Sequence, residues 1–275
     1  MAIPFRVRAR HAAVVICLAT VAPAPSVAQS TDAKPIMDNS FLIEEAYNQE
    51  YGVVQHITTF ARNEDLDAWS ASFTQEWPVG SQRNQLSFTL PYTRTNGSGG
   101  IGDIALHYRR QLREIHPQLA ISPRLSAVLP TGRSEDGFGK GGTGVEVALP
   151  VSYILSERFF GHTNGGLTLT PTAKAPDGSE NAIFETFIGQ SLVWLAHPQL
   201  NVLLELAWAA EETPLSNGGV ARAENFFFSP GVRGAINMSS GMQIVPGIAV
   251  PIGLGPSRGD RAVFVYLSVE HAFRR

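Results

Sequence analysis

Gln199-Leu200-Asn201-Val202-Leu203-Leu204-Glu205-Leu206-Ala207-Trp208-Ala209 alternates strictly along its length. Leu200, Val202, Leu204, Leu206 and Trp208 share one face; Asn201, Leu203, Glu205, Ala207 and Ala209 share the other. Successive side chains of a strand point to opposite faces, so this period of two reads as a β-strand with one wholly apolar side. The pattern recurs. Leu119, Ile121, Pro123, Leu125, Ala127 and Leu129 oppose Ala120, Ser122, Arg124, Ser126 and Val128. Val145, Val147, Leu149, Val151 and Tyr153 oppose Glu146, Ala148, Pro150 and Ser152. Leu86, Phe88, Leu90 and Tyr92 oppose Gln85, Ser87, Thr89 and Pro91, and Val263, Val265, Leu267 and Val269 oppose Phe264, Tyr266, Ser268 and Glu270.

Twelve such segments are expected, near 53–62, 67–78, 84–94, 101–112, 118–130, 143–155, 158–170, 184–195, 199–210, 223–236, 241–251 and 261–273. The facing of 184–195 is ambiguous, because Phe187, Val193 and Leu195 compete with Ile188, Leu192 and Trp194. Short turns around Gly80-Ser81, His116-Pro117, Ser156-Glu157, His197-Pro198 and Ser239-Ser240 alternate with longer Gly-rich, charged loops at 131–142, 171–183, 211–222 and 252–260. An even strand count with short turns at one end and long loops at the other is the pattern of an outer-membrane barrel. In hydrocarbon every backbone polar group must be paired within the protein, so only helices or a closed barrel can span. The expected fold is therefore all-β: a closed antiparallel transmembrane barrel of about 12 strands, lipid outside and a polar lumen inside. A secreted soluble β-sandwich would instead pack the apolar faces on each other.

Composition agrees. Of 275 residues only 16% are charged, against about 25% in an average soluble domain, and Lys34, Lys140 and Lys174 are the only lysines. The 26 glycines and 18 prolines exclude a helical bundle. A net charge of −3 offers no basic face to nucleic acid. The single cysteine excludes a disulfide scaffold and a cysteine-based zinc site.

Residues 1–28 read as a secretory signal peptide. Arg6, Arg8 and Arg10 form its basic region, 12–21 its apolar run, and Ser26-Val27-Ala28 its cleavage site. Cleavage removes Cys17 and leaves 18 basic against 24 acidic side chains, a net charge of −6. Residues 29–50 are an N-terminal periplasmic segment or a plug, and 51–275 the barrel. With the N-terminus periplasmic, Trp77, Tyr108 and Tyr153 fall at periplasmic strand ends and Trp69, Tyr92 and Trp208 at outer ends, the two girdles where amphipathic rings prefer to sit. Phe273 ends the last strand on its apolar side, an aromatic terminus resembling an assembly signal, although Arg274 and Arg275 follow it.

Gly100-Ile101-Gly102-Asp103-Ile104, Leu129-Pro130-Thr131-Gly132, Gly142-Thr143-Gly144 and Phe41-Leu42-Ile43-Glu44-Glu45-Ala46-Tyr47-Asn48-Gln49-Glu50, in that spacing, resemble the outer-membrane transporter-like barrel family named for the meta-pathway of phenol degradation. The resemblance covers roughly 40–273 and implies an outer-membrane location, a barrel and a transport role.

The inward faces collect Glu76, Asp103, His107, Arg109, Arg124, Glu146, Glu205, Arg233 and Glu270. These either select solutes along a polar pathway or brace the lumen as cross-strand ion pairs, since a buried charge needs a partner. The mixed signs argue against strong ion selectivity. Glu44, Glu45 and Glu50 mark the N-terminal segment as a plug able to pair with Arg109 or Arg124, or as a periplasmic tail. No Gly-x-Ser-x-Gly elbow appears, and His162 with Glu157 and Ser156 forms no evident triad, so no catalytic residues and no enzyme are expected. The seven histidines show no ligand spacing, so no metal or other cofactor is expected. Gly137-Phe138-Gly139-Lys140-Gly141-Gly142 precedes a strand rather than a helix and makes no phosphate loop. Glu135, Asp136, Asp177 and Glu180 read as solvated loop charges, with weak binding of calcium or lipopolysaccharide-bridging cations as the alternative.

The expected function is a passive outer-membrane channel or uptake protein for small organic solutes, apolar or aromatic ones among them, exported by the Sec route. The alternative is a non-conducting barrel that anchors or binds other envelope components. Expected partners are outer-membrane lipid and lipopolysaccharide, the barrel-assembly machinery and the solute.

Overall fold

A computed structural model describes residues 36, 38–63, 67–112, 118–216 and 218–273. The expected signal peptide and residues 29–35 lie outside the described residues, as do the turn at His116-Pro117 and the closing Arg274 and Arg275. Period-two alternation becomes twelve strands: β1 (Val53–Asn63), β2 (Ala68–Val79), β3 (Ser81–Thr95), β4 (Ser98–Ile101 and Ile104–Arg110), β5 (Leu119–Ile121 and Arg124–Leu129), β6 (Gly144–Ala148 and Val151–Ser156), β7 (Phe159–Lys174), β8 (Glu180–His197), β9 (Leu200–Pro214), β10 (Val220–Gly234 and Ile236–Asn237), β11 (Gln243–Ala249 and Ile252–Gly253) and β12 (Ala262–Ala272). Each pairs antiparallel with the next. β12 returns to β1 in unbroken register, from Val53 opposite Ala272 to Asn63 opposite Ala262, which closes the barrel. Apart from strands, the described residues hold two 3-10 turns, Ser134–Asp136 and Gly255–Ser257.

Five strands come in two pieces; β10 is interrupted only at Ala235, and three of the other breaks fall at Pro123, Pro150 and Pro251, which have no N–H to give the ladder. Proline keeps its carbonyl, and the ladder uses it: Arg110 donates to the Pro123 oxygen at 3.0 Å and Ser122 to that of Pro150 at 3.0 Å. Register therefore survives the break, with Leu119 opposite Tyr153 and Arg124 opposite Ala148. The break in β4 is different. Between Ile101 and Ile104 the pairing with β3 shifts by one residue, a bulge that re-aims Asp103.

Alternation also sets the two walls. Asn201, Leu203 and Glu205 are 0% exposed, whereas Leu200, Leu204 and Leu206 between them are 42–43% exposed. Leu125, Val145, Val147, Leu149, Val265 and Leu267 lie on the same outer wall. At its outer edge Trp69 stacks on Tyr92 with centroids 5.2 Å apart, and Phe60 lies 5.6 Å from Trp69. The ambiguous strand β8 settles with Phe184, Ile188 and Trp194 outward and Ile183, Ser191 and Val193 buried inside.

One expectation needs correction. Residues 171–183 and 211–222 are not open loops. β7 and β8 run on to a tip at Gly178, β9 and β10 to one at Gly218, both glycines at positive φ. Lys174 sits opposite Glu180 and Glu212 opposite Arg222, each pair 3.9 Å apart. Beyond the bilayer a hairpin needs no apolar face, so its strands carry the charge and glycine that read as loop. The turn between β3 and β4 is tighter still: Asn96 and Gly97 both have positive φ, the two-residue hairpin turn that Asn-Gly favours.

Leu204 lies near the middle of the apolar wall. Leu204→Arg should cost about 2–4 kcal/mol, as charges do at the midplane of a barrel's lipid face, read as a lowered denaturant midpoint for the barrel refolded in lipid vesicles.

Candidate functional site: the barrel lumen

Residues 38–50 lie against the inner wall of the barrel in irregular conformation, and their backbone groups are satisfied by inward side chains. Glu205 of β9 accepts from the Leu42 and Ile43 amides at 2.9 and 3.2 Å. Ser152 of β6 accepts from the Ala46 amide at 2.7 Å, and Ser122 of β5 donates to the Ala46 oxygen. Gln111, just after β4, takes the Asn48 amide at 3.1 Å and Gln85 of β3 the Gln49 amide at 2.8 Å. Arg233 of β10 donates to the carbonyls of Asp38 and Asn39. Buried backbone groups need partners; here the wall supplies them from six strands or strand ends.

Two apolar side chains fix the segment to the far wall. Phe41 packs 5.9 Å from Phe264 and 5.6 Å from Tyr266, within a buried cluster that includes Ile57, Val193, Leu203 and Val245. A Cβ at Gly231 or Gly247 would collide with the Phe41 ring, and one at Gly189 with Ile43. Those glycines are sockets.

The charged wall faces Glu44. Arg109 is 2% exposed and spends its guanidinium on Asn48 at 2.8 Å, Glu44 at 2.6 Å and the carbonyls of Glu45 and Tyr47 at 2.9 and 2.7 Å. Glu76 lies 3.8 Å from it. Arg124 bridges Glu44 and Glu146, the latter at 2.7 Å. Asp38 accepts from Gln55 and Tyr266, both at 2.6 Å. Toward the outer side of the segment a ladder of side chains crosses the wall. Thr74 bonds Thr89 at 2.8 Å, Thr89 bonds His107 at 3.1 Å, His107 bonds Ser126 at 2.8 Å and Ser126 donates to Glu146 at 3.1 Å.

At the mouth Asp103 does different work. Its carboxylate accepts from the amides of Gly132 and Lys140 at 2.9 and 2.7 Å, holding the loop between β5 and β6. Lys140 then reaches Glu185 of β8 at 2.6 Å and the Glu212 oxygen of β9 at 3.2 Å, so the loop spans the opening. Cavities remain among the described residues. One of about 440 Å³ lies under that loop, lined by Asp103, Phe138, Lys140, Glu146 and Glu185. One of about 280 Å³ lies beside Phe41, Glu44, His107 and Arg124. One of about 320 Å³ lies toward the β6–β7 and β8–β9 turns, lined by Asp38, Phe160, His162, Val193, Leu195 and Arg233.

Glu76, His107, Arg109, Arg124, Glu146, Glu205, Arg233 and Glu270 sit on inner positions of their strands, Glu45 is buried in the segment and Glu50 is exposed at its end. Sequence reasoning passed over Asp38, Asn48, Gln55, Gln85, Ser152 and Tyr266. All but Asp38 and Asn48 hold inner places in an alternating strand, so parity alone would have found them. Ser152 shares a 2.7 Å hydrogen bond with His162, but it is wholly buried and already accepts from Ala46, which makes it a brace.

No family model matches the chain, the phenol-degradation barrels included, and no curated sequence matches it. Solved structures do. An outer-membrane channel from Pseudomonas putida F1 aligns with a TM-score of 0.61 over 82% of this chain and 98% of that one, at 10% identity. The NanC porin aligns with a TM-score of 0.52 over 80% and 100%, at 7% identity. The chain thus has the fold of the outer-membrane β-barrels.

Arg109→Met leaves Glu44 and Glu76 buried without their shared partner. A loss of about 3–5 kcal/mol is expected, the usual cost of breaking a buried pair from one side, measured as the shift in denaturant midpoint. Lys140→Met removes only the anchor across the mouth, so it should leave that midpoint within about 0.5 kcal/mol.

Proposed function

We propose that this protein is an outer-membrane channel for passive passage of small organic solutes, in which residues 38–50 act as a plug. The observation that carries the reading is the pairing of a hydrogen-bonding inner wall with a short irregular segment held by side chains and sockets rather than by a β-ladder. A wall built only for strength has no need of such a segment; a lumen that must close and reopen does. Arg109, Arg124, Glu205 and Arg233 hold the plug, and the Thr74-to-Glu146 ladder together with the mouth cavity forms the outer vestibule. Phe160, Val193 and Leu195 give the cavity toward the β6–β7 and β8–β9 turns an apolar side, which suits solutes with aromatic or aliphatic surface. Export by the Sec route, insertion by the barrel-assembly machinery and contact with lipopolysaccharide belong to the same proposal. So does the absence of catalysis.

The density of bonds around residues 38–50 favours one second reading, a permanently filled barrel that anchors other envelope components. Planar-bilayer conductance and vesicle swelling of the mature chain, residues 29–275, against a chain lacking 29–50 separate the two. A plugged channel gives small or rare openings that grow severalfold on deletion, with solute-dependent swelling. Conductance unchanged by the deletion removes the plug, and silence in both chains, each inserted and heat-modifiable, favours the anchor.

A further inference from the structure

The outer wall carries one feature that neither lipid contact nor transport uses. His56, early in β1, and His271, late in β12, lie 215 residues apart in sequence and face each other across the strand pair that closes the barrel. In the register His56 is opposite Val269 and His271 opposite Val54, so the two histidines are diagonal neighbours on the outward face. Their Nε2 atoms are 3.2 Å apart, and both rings are half-buried. Zinc–imidazole bonds of about 2.0–2.1 Å in a tetrahedron place two ligand nitrogens roughly 3.3 Å apart. The observed separation is thus that of a bidentate site.

Four further observations agree with it. The His271 Nδ1 lies 3.1 Å from the Ala272 carbonyl. A carbonyl accepts only, so Nδ1 carries the proton and Nε2 presents its lone pair toward His56, the arrangement seen when a ligating histidine is oriented by a backbone acceptor. His56 is supported on its other side by Phe73, with ring centroids 6.0 Å apart. Gln75, the register partner of His56 on β2, adds an amide oxygen to the same face. Both histidines lie within four residues of the periplasmic strand ends, where water can complete the coordination.

We propose that His56 and His271 bind a divalent transition-metal ion of the imidazole-preferring class, zinc, nickel or copper, as a clip across the β1–β12 closure. No group of three or more metal-ligating side chains occurs among the described residues, so water supplies the remaining positions and affinity is moderate. The clip ties the first strand to the last. It acts on the stability of the closed barrel and is independent of solute passage. Any ion that binds the folded barrel alone stabilises it by mass action.

The test uses the untagged mature chain refolded in detergent, with zinc chloride as the probe and isothermal titration as the readout. Wild type is expected to bind one equivalent, and His56→Ala and His271→Ala each to weaken binding at least tenfold. His197→Ala, at the end of β8, should bind as wild type does. Zinc should raise the unfolding midpoint of wild type and of His197→Ala alone. X-ray absorption at the zinc edge, which needs no variant to fold, should show two imidazole ligands. Equal zinc affinity in wild type and the His56→Ala/His271→Ala double variant, or an absorption spectrum without paired imidazoles, overturns the proposal and leaves the pair as a simple N–H···N hydrogen bond.

Discussion

A backbone amide in hydrocarbon has no water to turn to, and every strand of this barrel is placed by that fact. Closure through β1 and β12 leaves no unpaired edge in the apolar band. Prolines that would break a soluble sheet's central strand are tolerated at 123, 150 and 251 because neighbouring amides still use their carbonyls or those of adjacent residues, and the register passes through unchanged. Where the bilayer ends the constraint relaxes. Strands β7 to β10 then continue as charged hairpins, held by their own cross-strand pairs and by Lys140 of the loop between β5 and β6.

Inside the barrel a second constraint takes over. The wall presents guanidinium and carboxylate groups with little water to screen them, so each must find a partner. The wall alone provides some, as with Arg124 and Glu146. Much of the rest comes from residues 38–50, whose carbonyls, amides and Glu44 carboxylate meet Arg109, Arg124, Arg233 and Glu205. Segment and wall are therefore mutually dependent: remove either and the other is left with buried polar groups. That dependence is also what would make a plug reversible. Single side-chain bonds are exchangeable for water one at a time, whereas a β-ladder is not.

The inner wall also has an apolar patch. β8, β9, β11 and β12 contribute Val193, Leu203, Val245 and Phe264, and β1 contributes Ile57, to the cluster in which Phe41 lies, although the same strands also carry Glu205 and Glu270. Apolar residues on an inner wall are unexpected in a water-filled pore. They are explained by a chain segment that covers them.

Periodicity alone determined the strand count, the near positions of all twelve strands, the apolar outer wall and the parity that puts Glu76, Arg109, Arg124, Glu205 and Arg233 inside. Parity is a local property, and a strand's two faces are written in adjacent residues. The tertiary structure alone decided the facing of β8. Both of its faces are apolar, and only the packing of Val193 near Phe41 separates them. It decided that 171–183 and 211–222 pair as hairpins, because outside lipid no apolar face betrays a strand. It decided which polar groups meet across the lumen, Asp38 with Gln55 and Tyr266 above all, since Asp38 lies in no periodic segment. It also brought His56 beside His271. Ring closure makes neighbours of the two ends of the chain, and no spacing within the sequence records that.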